Sequence, residues 1–286
     1  MVVNNPQSAD RSYKFMYRLL GIIFHRYIYH KGDEIEFIET EVPGTGQLKD
    51  IVVIEDAVKI QITEFMATPL YDLKLRDLFD YHDSTRRIPE NTDYEVETGV
   101  FSSANPNHGK DSTDIDENIT FHVKITFTKN TDGGKVLSNL VYKVTIQEEL
   151  SEDEAIDLLI LPDMDIEMPI KALMTSIIVL IGQAIFPNDN FKKKIILCEI
   201  TVLARFFKDD ELSEMVKMLK SLTSDPEVSR IVEKYGKGFD IIFFDGKAEG
   251  KLEVAKNLLV EGFDEEFISR NTGISIDDVR ELKRKL

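Results

Sequence analysis

Cysteine is almost absent: Cys198 stands alone among 286 residues. A single thiol forms no internal disulfide, so the fold must be held by its core, and the chain fits a reducing, cytoplasmic setting. Basic residues are also scarce. Lysine and arginine number 35 against 52 acids, for a net charge of −17 and a pI near 4.8. Phosphate contacts supply most of the affinity for nucleic acid. The balance therefore argues against tight DNA binding by the whole chain and leaves a local basic patch as the alternative. No charged-then-apolar leader opens the sequence, so no secretion signal is expected. Long apolar runs are missing too. The most apolar stretch, Ile170 to Phe186, carries Lys171 and Gln183 and is shorter than the roughly 20 residues of a membrane span. It reads as a buried core helix, with no membrane partner. The histidines (25, 30, 82, 108 and 122) show no metal-ligand spacing.

What is present is ample core material in a mixed α/β order. Phe15, Leu19, Ile22, Ile23 and Tyr27 recur at helical spacing, which predicts one helix from Asp10 to Tyr29 with Asp10 as a candidate N-cap. Alternation predicts a strand over 34–42, then a turn at Pro43–Gly46. Two further strands, 50–54 and 57–62, are expected about a bend at Glu55-Asp56. A helix over 71–81 follows, and strands over 94–101 and 119–128. The polar segment 102–118 reads as a mobile insertion. Asn130–Gly134 reads as a turn. From Ser151 onward helices are expected near 151–161, 167–185, 190–207, 209–222 and 225–235, the first opened by the capping box Ser151-Glu-Asp-Glu154. This suggests an α/β domain over 1–165, a helical region over 166–244 and a tail over 245–286.

The tail reads as three short helices. Leu252, Ala255, Leu258 and Leu259 share a face, Gly262 closes that helix, and Thr272-Gly273 makes a turn. Val279 and Leu282 point inward on the last helix. The spacing is similar to helix-turn-helix DNA readers. Its positive charge gathers at Arg280, Lys283, Arg284 and Lys285, yet residues 246–286 hold eight basic and nine acidic side chains. A small bundle for docking or oligomerisation is the competing reading.

Several stretches together resemble one family: the tail, the opening Asp10-Arg-Ser-Tyr-Lys-Phe15, Tyr71–Tyr81 with Arg76, and Leu150–Pro162. They resemble the Rpn group (recombination-promoting, transposase-like nucleases) of the PD-(D/E)XK nucleases. The resemblance implies a restriction-endonuclease-like mixed sheet with flanking helices. It also implies a Mg²⁺-dependent DNA endonuclease, and a homodimer, since cutting both strands takes two sites. In that arrangement an Asp sits near the start of one strand. A second acid and a Lys or Gln lie two residues apart on the neighbouring strand, on a shared face. The two carboxylates hold Mg²⁺, which activates water.

Asp50 and Gln61 match, as metal ligand and as the group orienting water or phosphate. Lys59 stands where the acid is expected, and a cation there repels Mg²⁺. Glu39, Glu41, Glu55 and Glu64 are alternatives for the missing acid, although Glu64, three residues past Gln61, would face away on a regular strand. Three readings follow. One is an active nuclease in which Asp50 meets another carboxylate. The second is a non-catalytic DNA- or protein-binding module with Lys59 in the old metal pocket. The third is a helical interaction protein unrelated to nucleic acid. Other motifs fail. Gly246–Lys251 is one residue short of a phosphate loop, and Leu252 stands where its Ser or Thr belongs. Asp114, Asp116 and Asn118 lack the Gly and Glu of a calcium loop.

Overall fold

The protein is described by a computed structural model covering residues 6–38, 50–221 and, in the tail, Leu259, Glu265, Ile276, Val279, Arg280 and Lys283. The chain divides into two compact units, Met1–Val232 and Glu233–Leu286. The first joins the α/β region to the helices that follow it. The expected strand residues beyond 38, the turn at Pro43–Gly46 and the helix near 225–235 lie outside the described residues.

The first unit opens with two helices, α1 (Pro6–Leu20) and α2 (Ile22–Tyr29). The single helix expected there is broken at Gly21, whose φ of +59° with ψ of −125° is open only to glycine. Strands β1 (Ile35–Phe37), β2 (Ile51–Glu55) and β3 (Lys59–Met66) form an antiparallel meander. The β2–β3 turn holds Asp56 and Ala57 at positive φ, and Val58 N–H closes it onto the Glu55 carbonyl. Such a turn matches the twist of the strands it joins. Helix α3 (Asp72–Arg86) then crosses over to β4 (Glu95–Ser102), which runs parallel to β3.

The expected insertion carries its own small hairpin, β5 (Ser112–Asp114) with β6 (Thr120–His122), before β7 (Lys124–Phe127) completes the sheet parallel to β4. The strand expected over 119–128 is thus two strands in two sheets. The five-stranded order is β1-β2-β3-β4-β7.

The helical part comprises α4 (Gly133–Thr145), α5 (Glu152–Ile160), α6 (Ile170–Gln183), α7 (Asp189–Phe206) and α8 (Asp209–Ser221). The capping box of α5 forms as the sequence indicates. Helix α4 begins within the turn expected over Asn130–Gly134 and runs on through residues to which no element was assigned. Asp132 caps it by accepting from Lys135 N–H, and Leu140 and Val144 are buried one turn apart. Gly133 is needed for approach rather than for turning: a Cβ there would lie 3.0 Å from Ile166 and Met164.

Alternation sorts β3 onto two faces. Thr63 and Phe65 look toward α1 and α2, where Tyr13, Phe24, Phe65 and Phe101 pack edge to face or tilted, with centroids 5.0–6.2 Å apart. Aromatic burial of this kind dominates core energetics. On the other face Leu75, Leu78 and Tyr81 of α3 pack with Val100 of β4. The helical part is pinned to the sheet layer by one buried node. Arg205 of α7 donates two bonds, 2.7 and 2.6 Å, to Asp163, which also accepts from Tyr13 of α1.

Among the described residues no helix is long and apolar enough to cross a membrane. Helix α6, built from the most apolar run, buries Leu173, Met174, Ile177, Ile178 and Ile181.

Candidate functional site

Asp50 directly precedes β2. The antiparallel register sets Ile51 across from Thr63, so its continuation sets Asp50 across from Glu64. Contacts agree. Asp50 N–H donates to Glu64 Oε1 at 3.1 Å, and Phe65 N–H donates to Asp50 Oδ2 at 2.9 Å. The strand expected to end at Ile62 runs on to Met66, and this extension makes the meeting possible.

Two helices close around the pair. From α1, Lys14 Nζ lies 2.5 Å from Asp50 Oδ1 and 3.2 Å from Asp10 Oδ2. From α3, Lys74 Nζ lies 3.4 Å from Glu64 Oε2 and 5.5 Å from the Tyr81 ring centroid. Asp10 is therefore inside α1 rather than its N-cap, and the i,i+4 spacing aims it at Lys14.

Burial and mutual repulsion raise two of these acids. Burial, then the Asp50 charge, lifts Asp10 to about 7. The same two causes lift Glu64 to about 7, with Lys74 opposing. Asp10 Oδ1 is buried without a hydrogen-bond partner among the described residues. For Lys14, burial acts to lower the pKa, but Asp50 and Asp10 outweigh it and hold the ammonium charged. The cluster holds three acids and two cations, part-buried at the end of the sheet.

Gln61 and Lys59 lie elsewhere, which corrects the site drawn from the sequence. Gln61 pairs across from Val53, three residues before Glu64, about 10 Å along the strand at roughly 3.3 Å per residue. An odd spacing also puts it on the other face. Its amide donates to the carbonyls of Ile62 and Glu97, and its Oε1 is buried without a partner among the described residues. Lys59 is farther still, across from Glu55 at the turn end of the hairpin, 3.5 Å from Glu55 and 3.4 Å from Glu97. It does not project toward Asp50 and cannot be a cation filling that acid's neighbourhood.

Lys59 belongs to a second polar network. Glu55 also accepts from His25 Nε2 at 2.8 Å, and Lys31 pairs with Glu97 at 2.9 Å. A carboxylate only accepts, so Nε2 carries the proton, and Tyr17 O–H then donates to Nδ1. Burial holds His25 below its usual pKa, against the pull of Glu55. Every ring nitrogen is satisfied, which suits a buried structural histidine.

The residues at Asp50 suit Mg²⁺ in kind. They offer hard carboxylate oxygens, of which Mg²⁺ uses one or two alongside substrate phosphates. Among the described residues no group of three or more His, Cys, Asp or Glu is placed so that it could hold a metal ion. Two clefts, about 500 Å³ beside His82, Arg86 and Tyr94 and about 240 Å³ beside Leu70, His108 and Lys110, do not include Asp50 or Glu64.

In the tail, Arg280 and Lys283 both face Glu265, at 3.9 and 2.7 Å, and Val279 is fully buried as its spacing indicated. Arg284 and Lys285 lie outside the described residues. From the sequence Lys14 and Lys74 were given no role in the site, and Asp10 only that of a candidate N-cap. The only signal for them was the Asp-x-x-x-Lys spacing that opens the chain, since Lys74 reaches the site through a crossover helix. The chain matches no family model, no curated protein and no solved structure.

Proposed function

We propose that the protein is a divergent PD-(D/E)XK-type nuclease of the Rpn kind, hydrolysing phosphodiester bonds of DNA at the Asp50–Glu64 pair. The observation that carries this reading is that meeting: an acid at the start of one strand and an acid on the neighbouring antiparallel strand, with Lys14 and Lys74 beside them. It also supplies the second acid that Lys59 had left missing.

Asp50 and Glu64 would hold Mg²⁺, which supplies a water of lowered pKa and offsets charge on the phosphate. Asp10, raised to about 7 and with an unpartnered oxygen, is placed to take the water proton, since a base works best near the operating pH. Water oxygen bonds to phosphorus as the bond to the leaving oxygen breaks, and that oxygen takes a proton from solvent. DNA contact falls to the body of the protein, because the two described tail cations face Glu265. A homodimer and a cytoplasmic setting belong to the same proposal.

The second reading is a non-catalytic module that keeps the fold. It draws support from Lys14, whose ammonium already neutralises Asp50 and Asp10. Nicking of supercoiled plasmid in Mg²⁺ or Mn²⁺ separates the two. The parent is expected to nick, with Asp50→Ala and Glu64→Gln each abolishing it. Well-folded parent protein that leaves the plasmid intact sinks the nuclease reading and favours the second.

A further inference from the structure

Glu64 has no cationic or amide neighbour on its own strand. Two residues on, sharing its face, stands Met66, which has no group to offer an anion. Yet a phosphate approaching three carboxylates needs a positive contact, since the acids otherwise repel it. Lys14 is engaged on both sides, by Asp10 and by Asp50. Lys74 differs. Among the described residues its ion-pair partner is Glu64, and about a third of its side chain remains exposed.

Its place in α3 is also unfavourable for structure alone. Lys74 sits in the first turn, beside the positive end of the helix dipole, where an acid is the stabilising choice. Burial acts to lower its pKa, and Glu64 outweighs that. The ammonium lies 5.5 Å from the Tyr81 ring centroid as well as beside the carboxylate. An ammonium with part of its surface open thus stands at the edge of the site, where it attracts an anion.

We propose that Lys74, from the crossover helix, is the catalytic cation that contacts the scissile phosphate, in place of a group two residues after Glu64. The inference rests on the nuclease reading above. It makes Lys74 a phosphate contact rather than only a counter-ion for Glu64.

Lys74→Met and Lys74→Arg are compared with the parent after circular dichroism has confirmed folding. Plasmid nicking by Lys74→Met is expected to fall about 100-fold, the scale of losing one charge-stabilising donor. Lys74→Arg should keep a measurable fraction. Adding Met66→Lys to Lys74→Met should return activity, because it sets an ammonium on the same face beside Glu64. A counter-ion role predicts the same return, so the separation of the two roles falls to a readout of phosphate contact. A second readout is independent of catalysis: binding of a fluorescent DNA duplex in EDTA, followed over a salt series. Loss of one phosphate contact should reduce the log–log slope by about 0.9. Nicking by Lys74→Met at the parent rate, or an unchanged slope, overturns the assignment. If the parent itself does not nick, the nuclease reading fails alone, and the slope still decides whether Lys74 meets phosphate.

Discussion

Glu199 sits wholly buried on α7, and neither of its carboxyl oxygens has a hydrogen-bond partner among the described residues. Burial drives its pKa well above the usual carboxylate range, and Arg205 only partly opposes this. The folded protein therefore keeps a proton that the unfolded chain releases above about 4.5. A raised acid costs stability as pH rises from that unfolded value toward the folded one. The slope is about 1.4 kcal/mol per pH unit for one group. Glu199→Gln removes the titration while keeping the shape. It should melt close to the parent near pH 4.5 and increasingly above it by pH 8, by differential scanning calorimetry. Equal melting temperatures across that range would show the carboxyl to be satisfied. His25 works in the opposite sense. Its folded pKa is depressed, so its contribution is present above the unfolded value of 6.5 and is lost as pH falls below it.

At the scale of elements, the β2–β3 hairpin decides the site, and it shows what the sequence could and could not tell. Alternation and turn residues located both strands, the crossover helix and β4. The last residues of β3 were not legible, because Thr63 and Glu64 look like the polar start of a loop. They are buried instead, Thr63 bonded to Tyr29 and Glu64 held by Asp50 N–H and Lys74. Tertiary partners override local polarity there, so the site moved from Gln61 to Glu64. Helix α4 was missed for a related reason: Gly133 and Gly134 read as a turn, yet Gly133 is small to fit Met164 and Ile166.

Two predictions belong to this scale. The backbone at Gly21 excludes other residues although the space around it is open. Gly21→Ala should cost about 1–3 kcal/mol in urea unfolding through backbone strain alone. A cost near zero would mean that the α1–α2 break is not fixed. Glu64, one of the two proposed Mg²⁺ ligands, and Asp10 beside the pair are both raised to about 7, so protons compete with a cation. Mg²⁺ affinity measured by calorimetry should rise from pH 6 to 8 and level off above. Affinity flat with pH would place Mg²⁺ away from these two carboxyls.

For the first unit as a whole, the chain order of α/β elements followed by helices was legible, but their union was not. A domain boundary near residue 165 is a reasonable reading of the change in texture. Yet the residues spanning it, Asp163 and Arg205, form one buried ion pair, and Tyr13 from the first helix completes it. No sequence pattern reveals a contact between positions 13, 163 and 205. Desolvating such charges costs several kcal/mol per ion, offset here by two short bonds between the ions and a third from Tyr13. Removing one partner strands the other. Arg205→Met should therefore destabilise by about 3–5 kcal/mol in denaturant unfolding. Replacing both sides, Arg205→Met with Asp163→Leu, should cost less than Arg205→Met alone, since no unpaired charge remains buried. The difference between the double variant and the two singles measures the coupling. If the double variant loses the sum of the two, the pair is not coupled and the link between α1, the turn after α5, and α7 rests on apolar packing. If it recovers stability, the ion pair serves to fix how the helical part seats on the sheet layer, and with it where α1 presents Asp10 and Lys14 to Asp50.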